Sequence, residues 1–321
     1  MIAIANRGYP KLLWPAIISV MLLVGCTNSR FIVRPLYNNL DNRMLSQFNR
    51  LAEFDEAQQA IFEKQVGTFH VWHRQSELPE YARLLRDVAT TIGQNVTTPD
   101  QVNDWMNRAE IHSQAVRRCH PINFSIPLIR TLSVQQLASI EQEFHEEQAE
   151  NRERYESRTP QQRVQRRLDK METWAGRLNL KFTDEQSRIL QSAFERQVSL
   201  RGEYYQLSAL WRTELFALAR QPVSEIRDDQ LQEHIASFWT LLESNYPEQW
   251  LANRNMWKAV AIEFEPTLTK NQRQVFGRWM SKMADTLETI GKDEPSFRSA
   301  DDPAAGCLVD AARSGAQQKP G

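Results

Sequence analysis

The chain has 321 residues, with 39 Lys and Arg against 40 Asp and Glu and a formal net charge of −1. That balance supplies no bulk field to draw nucleic acid or anionic lipid, so nucleic acid is not expected among its partners. The six histidines are scattered, and besides Cys26 the only cysteines are Cys119 and Cys307.

The N-terminus reads in three zones. Arg7 and Lys11 supply positive charge, Leu12 to Val24 form a mostly apolar run of thirteen residues, and Leu23-Val24-Gly25-Cys26 closes the segment. Such a run falls short of the roughly 20 residues needed to span a bilayer core, and the order of zones is that of an export signal. Its last four residues resemble the bacterial lipobox. The resemblance implies a lipoprotein signal peptide over residues 1–25 and lipidation of Cys26, with palmitate-type chains as the membrane anchor. At about 0.8 kcal/mol per buried methylene one chain holds only marginally, whereas two or three hold firmly. By resemblance to Gram-negative lipoproteins, Thr27 in place of Asp favours the outer membrane, facing the periplasm. An ordinary secretory signal that happens to contain Cys26, or a short core helix, stands as the alternative.

Residues 26–36 read as the lipidated cysteine and a tether reaching at most about 35 Å at ~3.5 Å per residue. A helical body is expected over 37–292. From Asp293 the composition shifts to Pro, Gly and small polar residues, which predicts a disordered tail over 293–321.

Within the body only six glycines occur, and no alternating run is long enough for a sheet. One helix-start pattern recurs: an apolar residue, then Ser, Thr or Asp, then Gln three positions later. It is complete at Phe54-Asp55…Gln58, Leu132-Ser133…Gln136, Phe182-Thr183…Gln186 and Leu268-Thr269…Gln272. Thr98…Gln101 and Thr159…Gln162 lack the apolar leader and carry Pro99 and Pro160 at the first helical position. Each predicts a capping box, in which the cap oxygen accepts from the third amide and the glutamine reaches back to the cap amide. The steps between them are too irregular for a solenoid. One-sided apolar stripes follow the later caps, so the fold class is all-α, a multi-helix bundle of about eight to ten helices. Gln135 to Lys170 is dense in charge around a thin apolar stripe and predicts a projecting antiparallel hairpin. Trp239, Trp250 and Trp257 would share a face if the helix ran on past Pro247, as core packing or as an apolar groove.

Tyr37-Asn38-Asn39-Leu40-Asp41 and Trp72-His73-Arg74-Gln75-Ser76-Glu77-Leu78-Pro79-Glu80-Tyr81-Ala82, which closes one helix and opens the next, complete the pattern. With the lipobox and the Ser/Thr-x-x-Gln starts, the chain resembles an uncharacterised family of proteobacterial lipoproteins over residues 20–292. That family has no assigned activity. Leu268-Thr269-Lys270-Asn271-Gln272 also resembles the signature of small periplasmic helical proteins of the Spy and CpxP type, which are shorter and lack an anchor.

His70, His73 and Glu77 fall at i, i+3 and i+7 on one helix face, a spacing that could offer two nitrogens and a carboxylate to zinc. Against it, no His-Glu-x-x-His and no second ligand cluster completes a site. His73 falls on the apolar stripe of Phe62, Val66 and Phe69, and His70 is expected at the surface. Paired Glu-x-x-His motifs, a Gly-x-Ser-x-Gly elbow and phosphate-cradling glycine loops are all absent. Cys119 and Cys307 could form a disulfide in an oxidising compartment, and the residues alone leave this open. The expectation is therefore a non-enzymatic, lipid-anchored module without cofactor that binds an envelope protein and acts in a chaperone-like way. The alternative is a hydrolase or metal-binding enzyme using His70, His73 and Glu77.

Overall fold

The computed structural model describes residues 29–94 and 97–294, and no strand occurs among them. The all-α multi-helix expectation is met. The signal segment, Cys26, Cys307 and the tail beyond Glu294 lie outside the described residues.

Helix α1 (Ser29–Asn38) occupies most of the stretch expected as tether. Val33 and Tyr37 give it a buried face, which a solvated tether has no means to provide. After α2 (Leu40–Phe48) comes α3 (Glu56–Trp72), and the expected break before α4 (Leu78–Gly93) is absent. Instead the two are joined by a π turn over His73–Glu77, closed by the amide of Leu78 on the carbonyl of His73. Pro79 explains the turn. It has no amide to give and crowds the carbonyl four residues back, and one widened turn absorbs both faults without ending the helix.

The chain continues through α5 (Pro99–Cys119), a 3-10 turn (Pro121–Phe124), the one-turn α6 (Ile126–Ile129), α7 (Val134–Glu156) and α8 (Pro160–Arg177). Asn179, at φ 55°, ends α8 in the left-handed conformation, with Leu180 N–H bonded to Ala175 O and Asn179 N–H to Gly176 O. This is the Schellman arrangement, with asparagine in the place usually given to glycine. Then follow α9 (Asp184–Arg196), α10 (Arg201–Ala219), α11 (Glu225–Ser237), α12 (Leu241–Asn245), α13 (Pro247–Phe264) and α14 (Lys270–Gly291).

The charged hairpin takes a different form from the one expected. Helices α7 and α8 meet at the Ser157–Thr159 corner, but α7 packs along α10 and α8 along α9, rather than chiefly on each other. Gln148 donates to Tyr205 O, Tyr205 Oη donates to Asn151 O, and Arg167 donates to Gln197 Oε1. The thin stripes of α7 and α8 are thus each completed by a different neighbour. The tryptophan face is not formed either. The helix stops at Asn245, Pro247 opens a new one, and Trp239 sits in a 3-10 turn where its Nε1 donates to Asn123 Oδ1.

The most extensive helix pair is α4 with α14. Leu78 and Ala82 meet Met283, Ala284, Leu287 and Ile290 in a core that also takes in Val33 and Tyr37. Two glycines permit the approach: a Cβ on Gly277 would lie 3.2 Å from Ala89 O, and one on Gly291 would lie 3.1 Å from Arg74 O. A second core joins Leu137 and Ile140 of α7 to Phe216, Ala219 and Leu231.

All six predicted capping boxes form. Four of them do more. Gln58 donates to Thr131 O (2.9 Å) and Gln136 Oε1 (3.0 Å), while Gln136 donates to Glu53 O (2.6 Å) and Gln58 Oε1 (2.7 Å). Gln186 and Gln272 repeat the pattern, donating to Thr267 O and Lys181 O (each 2.9 Å) and to each other. In every case the carbonyl lies two residues before the partner's cap, so two helix starts are locked reciprocally. These four are the boxes with an apolar leader. Because Gln186 is buried and Gln162 is exposed with bonds only inside its own box, Gln186→Ala should cost about 2 to 3 kcal/mol and Gln162→Ala under ~1 kcal/mol. Urea unfolding midpoints of the two variants measure the difference.

Candidate functional site

The π turn rotates His73, Arg74 and Glu77 inward beside His70. Exposures are 0 % for His70 and His73, 2 % for Arg74 and 7 % for Glu77. His70 is therefore fully buried, not at the surface. What covers it is Tyr37 and Asp41 of α1 and α2, the first of the two sequence stretches singled out above. The Tyr37 ring stacks on both imidazoles, at 5.2 Å from His70 and 5.8 Å from His73, and the Arg74 guanidinium lies over the same ring, 4.8 Å from its centroid.

Within this hub Tyr37, Glu77 and Arg74 bond to separate partners, whereas both ring nitrogens of His70, His73 Nε2 and Arg74 Nε are buried without a hydrogen bond among the described residues. Tyr37 Oη and His73 Nδ1 are 2.7 Å apart. Burial holds the Tyr37 phenol above its usual range and pushes the His73 imidazole down to about 3, so the phenol donates to an unprotonated Nδ1. His70 Nδ1 faces Asp41 Oδ2 at 3.6 Å. Glu77 Oε2 accepts from His112 Nδ1 at 3.0 Å, and its charge and hydrogen bond add to the burial that raises the Tyr81 phenol. Arg74 donates to Ile290 O (2.8 Å) and Asn38 Oδ1 (3.1 Å), which sets a cation against the carbonyl end of α14.

His70, His73 and Glu77, weighed as metal ligands only in the alternative, thus share a helix face but not a ligand site. Each is directed at a different side chain, and no group of three His, Cys, Asp or Glu able to hold a metal occurs among the described residues. The hub is a latch between α1, α2, α3, α4, α5 and α14. Cys119 is buried against Phe69, Trp72 and Val116.

A larger concave feature lies elsewhere among the described residues. A cavity of about 480 Å³ opens between α2, α3, α6, α7 and α10, walled by Phe48, Phe62, Leu128, Ile140, Phe144 and Leu215 among other apolar side chains. Two of its polar wall groups are engaged with the backbone: Gln65 donates to Phe124 O and Ser125 to Ile122 O. His120, turned in from the end of α5, accepts from Ile122 N–H at 3.2 Å, and burial pushes it down to about 4, so it stands there uncharged. Along α7 the wall changes from apolar to acidic at Glu143, Glu146, Glu147 and Glu150. Sequence reasoning missed this cleft, since its walls come from five helices and none carries a motif for it.

Fold and site together define an all-α protein with a buried polar latch and, apart from it, an apolar cleft with an acidic edge. The chain belongs to a family described as a family of unknown function (DUF6279), whose model matches residues 51–246, more than half of its length. The match takes in His70, His73, Arg74 and Glu77 but neither Tyr37 nor Asp41, and is narrower than the 20–292 expected. No curated protein and no solved structure matches the chain. The likeness to Spy- and CpxP-type proteins rests on the Leu268–Gln272 helix start, which cap geometry accounts for by itself.

Two buried neutral histidines set the acid behaviour. Their folded pKa values lie below the unfolded 6.5, so their contribution is complete above that pH and is lost as pH falls, by up to about 1.4 kcal/mol per unit per histidine. The melting temperature should hold between pH 7 and 8 and drop between about pH 6 and pH 4. Replacing one of the pair, His120→Asn, should reduce that drop by roughly half in differential scanning fluorimetry.

Proposed function

We propose that this chain is a lipid-anchored envelope protein, held at Cys26 in the outer membrane and facing the periplasm, that binds protein segments in the α7–α10 cleft without performing chemistry on them. The observation that carries the binding role is the cleft itself, about 480 Å³, with apolar walls and its carboxylates gathered along one edge on α7. Pockets for small ligands also fall in this range of size, but they carry a few convergent polar groups to orient the ligand.

The lipobox supports the anchor, and the helices support the mode of attachment. No described helix is long and apolar enough to cross a membrane. Only Thr27 and Asn28 separate Cys26 from α1, a reach of roughly 10 Å, so an anchored body would lie against the bilayer surface. Non-enzymatic action is supported by the burial of His70, His73 and Glu77, with His73 bonded to Tyr37, Glu77 to His112, and His70 facing Asp41 at 3.6 Å.

Two experiments test the reading. Cys26→Ser should leave the protein unprocessed and release it from its normal membrane fraction on density-gradient separation; a variant as fully processed and as membrane-bound as the parent defeats the anchor. For the cleft, the parent should slow light scattering by a reduced, aggregating client at equimolar ratio. Leu215→Glu, which sets a charge in the half-buried wall, should lose that effect while its circular dichroism is unchanged. Equal protection by both proteins would place client binding outside the cleft.

A further inference from the structure

The rim of the cleft specifies its occupant more narrowly than the walls do. Glu143, Glu146, Glu147 and Glu150 recur at helical spacing on α7, next to the face that presents Ile140 and Phe144 to the cavity. From Glu143 to Glu150 is two turns, roughly 10 Å along the axis. Glu143, Glu146 and Glu150 are exposed. Against these four carboxylates the cavity sets only two guanidiniums, Arg50 and Arg154, and Arg154 lies 3.6 Å from Glu150. Glu147 is shared with the neighbouring recess, where it faces Arg212. In a chain of net charge −1 this is a local acidic edge, not the protein's average.

Apolar walls beside a row of carboxylates at i, i+3/i+4 and i+7 are the complement of an amphipathic helix whose apolar stripe is flanked by Lys or Arg at the same spacing. We infer that the cleft receives a basic amphipathic helical segment of a partner protein, its apolar side chains in the cavity and its cations on the α7 glutamates. The inference rests on the cleft being the binding site proposed above and adds the charge and form of what it binds. Such a segment would be steered to the rim by charge and held by apolar burial, so salt should weaken its capture.

The test uses the full-length protein in zwitterionic phosphatidylcholine nanodiscs, with empty discs as control. Three fluorescent amphipathic peptides share one leucine stripe and carry lysine, glutamine or glutamate beside it. In anisotropy titrations the lysine peptide should bind about tenfold tighter than the glutamate peptide at ~0.05 M salt, and that preference should fall below about threefold at ~0.5 M. The triple variant Glu143→Gln, Glu146→Gln, Glu150→Gln changes only exposed side chains. It should abolish the preference at low salt while keeping the glutamine peptide's affinity. If all three peptides bind the parent equally, and Leu215→Glu weakens them all, the charge inference is overturned while the cleft reading survives. If none binds, both fall, and mass photometry showing a dimer that Leu215→Glu splits would make a second copy the occupant.

Discussion

A helix leaves its first four amide protons without partners, and a protein made almost entirely of helices meets that deficit at every start. Here the deficit organises the tertiary structure. Six Ser/Thr/Asp-x-x-Gln boxes satisfy the ends locally, and in four of them the glutamine amide goes on to reach a second helix start. Gln58 with Gln136, and Gln186 with Gln272, convert a local repair into a long-range lock across 78 and 86 residues. Apolar leaders pack beside the locked pairs, of which Gln186–Gln272 is buried and Gln58–Gln136 partly so: Phe54 lies on Phe48 at 3.8 Å, and Phe182 meets Phe264 at 5.9 Å.

The same division separates what the residues disclose from what they conceal. A cap is decided within three positions, so Thr183 and Gln186 announce it in the sequence. The partner Gln272 cannot be read there, since nothing local to Gln186 refers to it. His70 shows the limit from the other side. Its helical spacing with His73 and Glu77 is correct, but its burial depends on Tyr37 and Asp41, contributed by helices some thirty residues earlier. The π turn was concealed for a third reason: Pro79 signals a helix break by its missing amide, and only the neighbouring contacts decide whether the chain breaks or widens. The cleft left no local trace at all, because an empty space is bounded by faces that each look like ordinary amphipathic helix.

Helix α3 connects the two features that matter. Its first half presents Phe62 and Gln65 to the cleft, and its second half carries Phe69 and His70 into the latch, with His73 just beyond. At the end of α5, Cys119 packs on Phe69 while His120 turns into the cleft wall. A fully packed, desolvated cluster therefore stands directly behind an open apolar surface. Its aromatic stacking and its charged contacts give one wall of the cavity a fixed backing, and the opposite wall, α7 with α10, combines buried Leu137, Ile140, Phe216 and Ala219 with half-buried Phe144 and Leu215.

Arg34 near the start of the described chain grips Asp293 near its end with both ends of the guanidinium fork, at 2.7 and 2.6 Å, and Asn38 adds a third bond. Entry and exit of the polypeptide are thus fastened at one pole. From there α1 passes strain into the long antiparallel seam of α4 and α14 through Val33 and Tyr37, which are packed in the core those two helices share. None of the three residues in that fastening, Arg34, Asn38 and Asp293, lines the cavity, so the clasp and the recess are built from separate side chains.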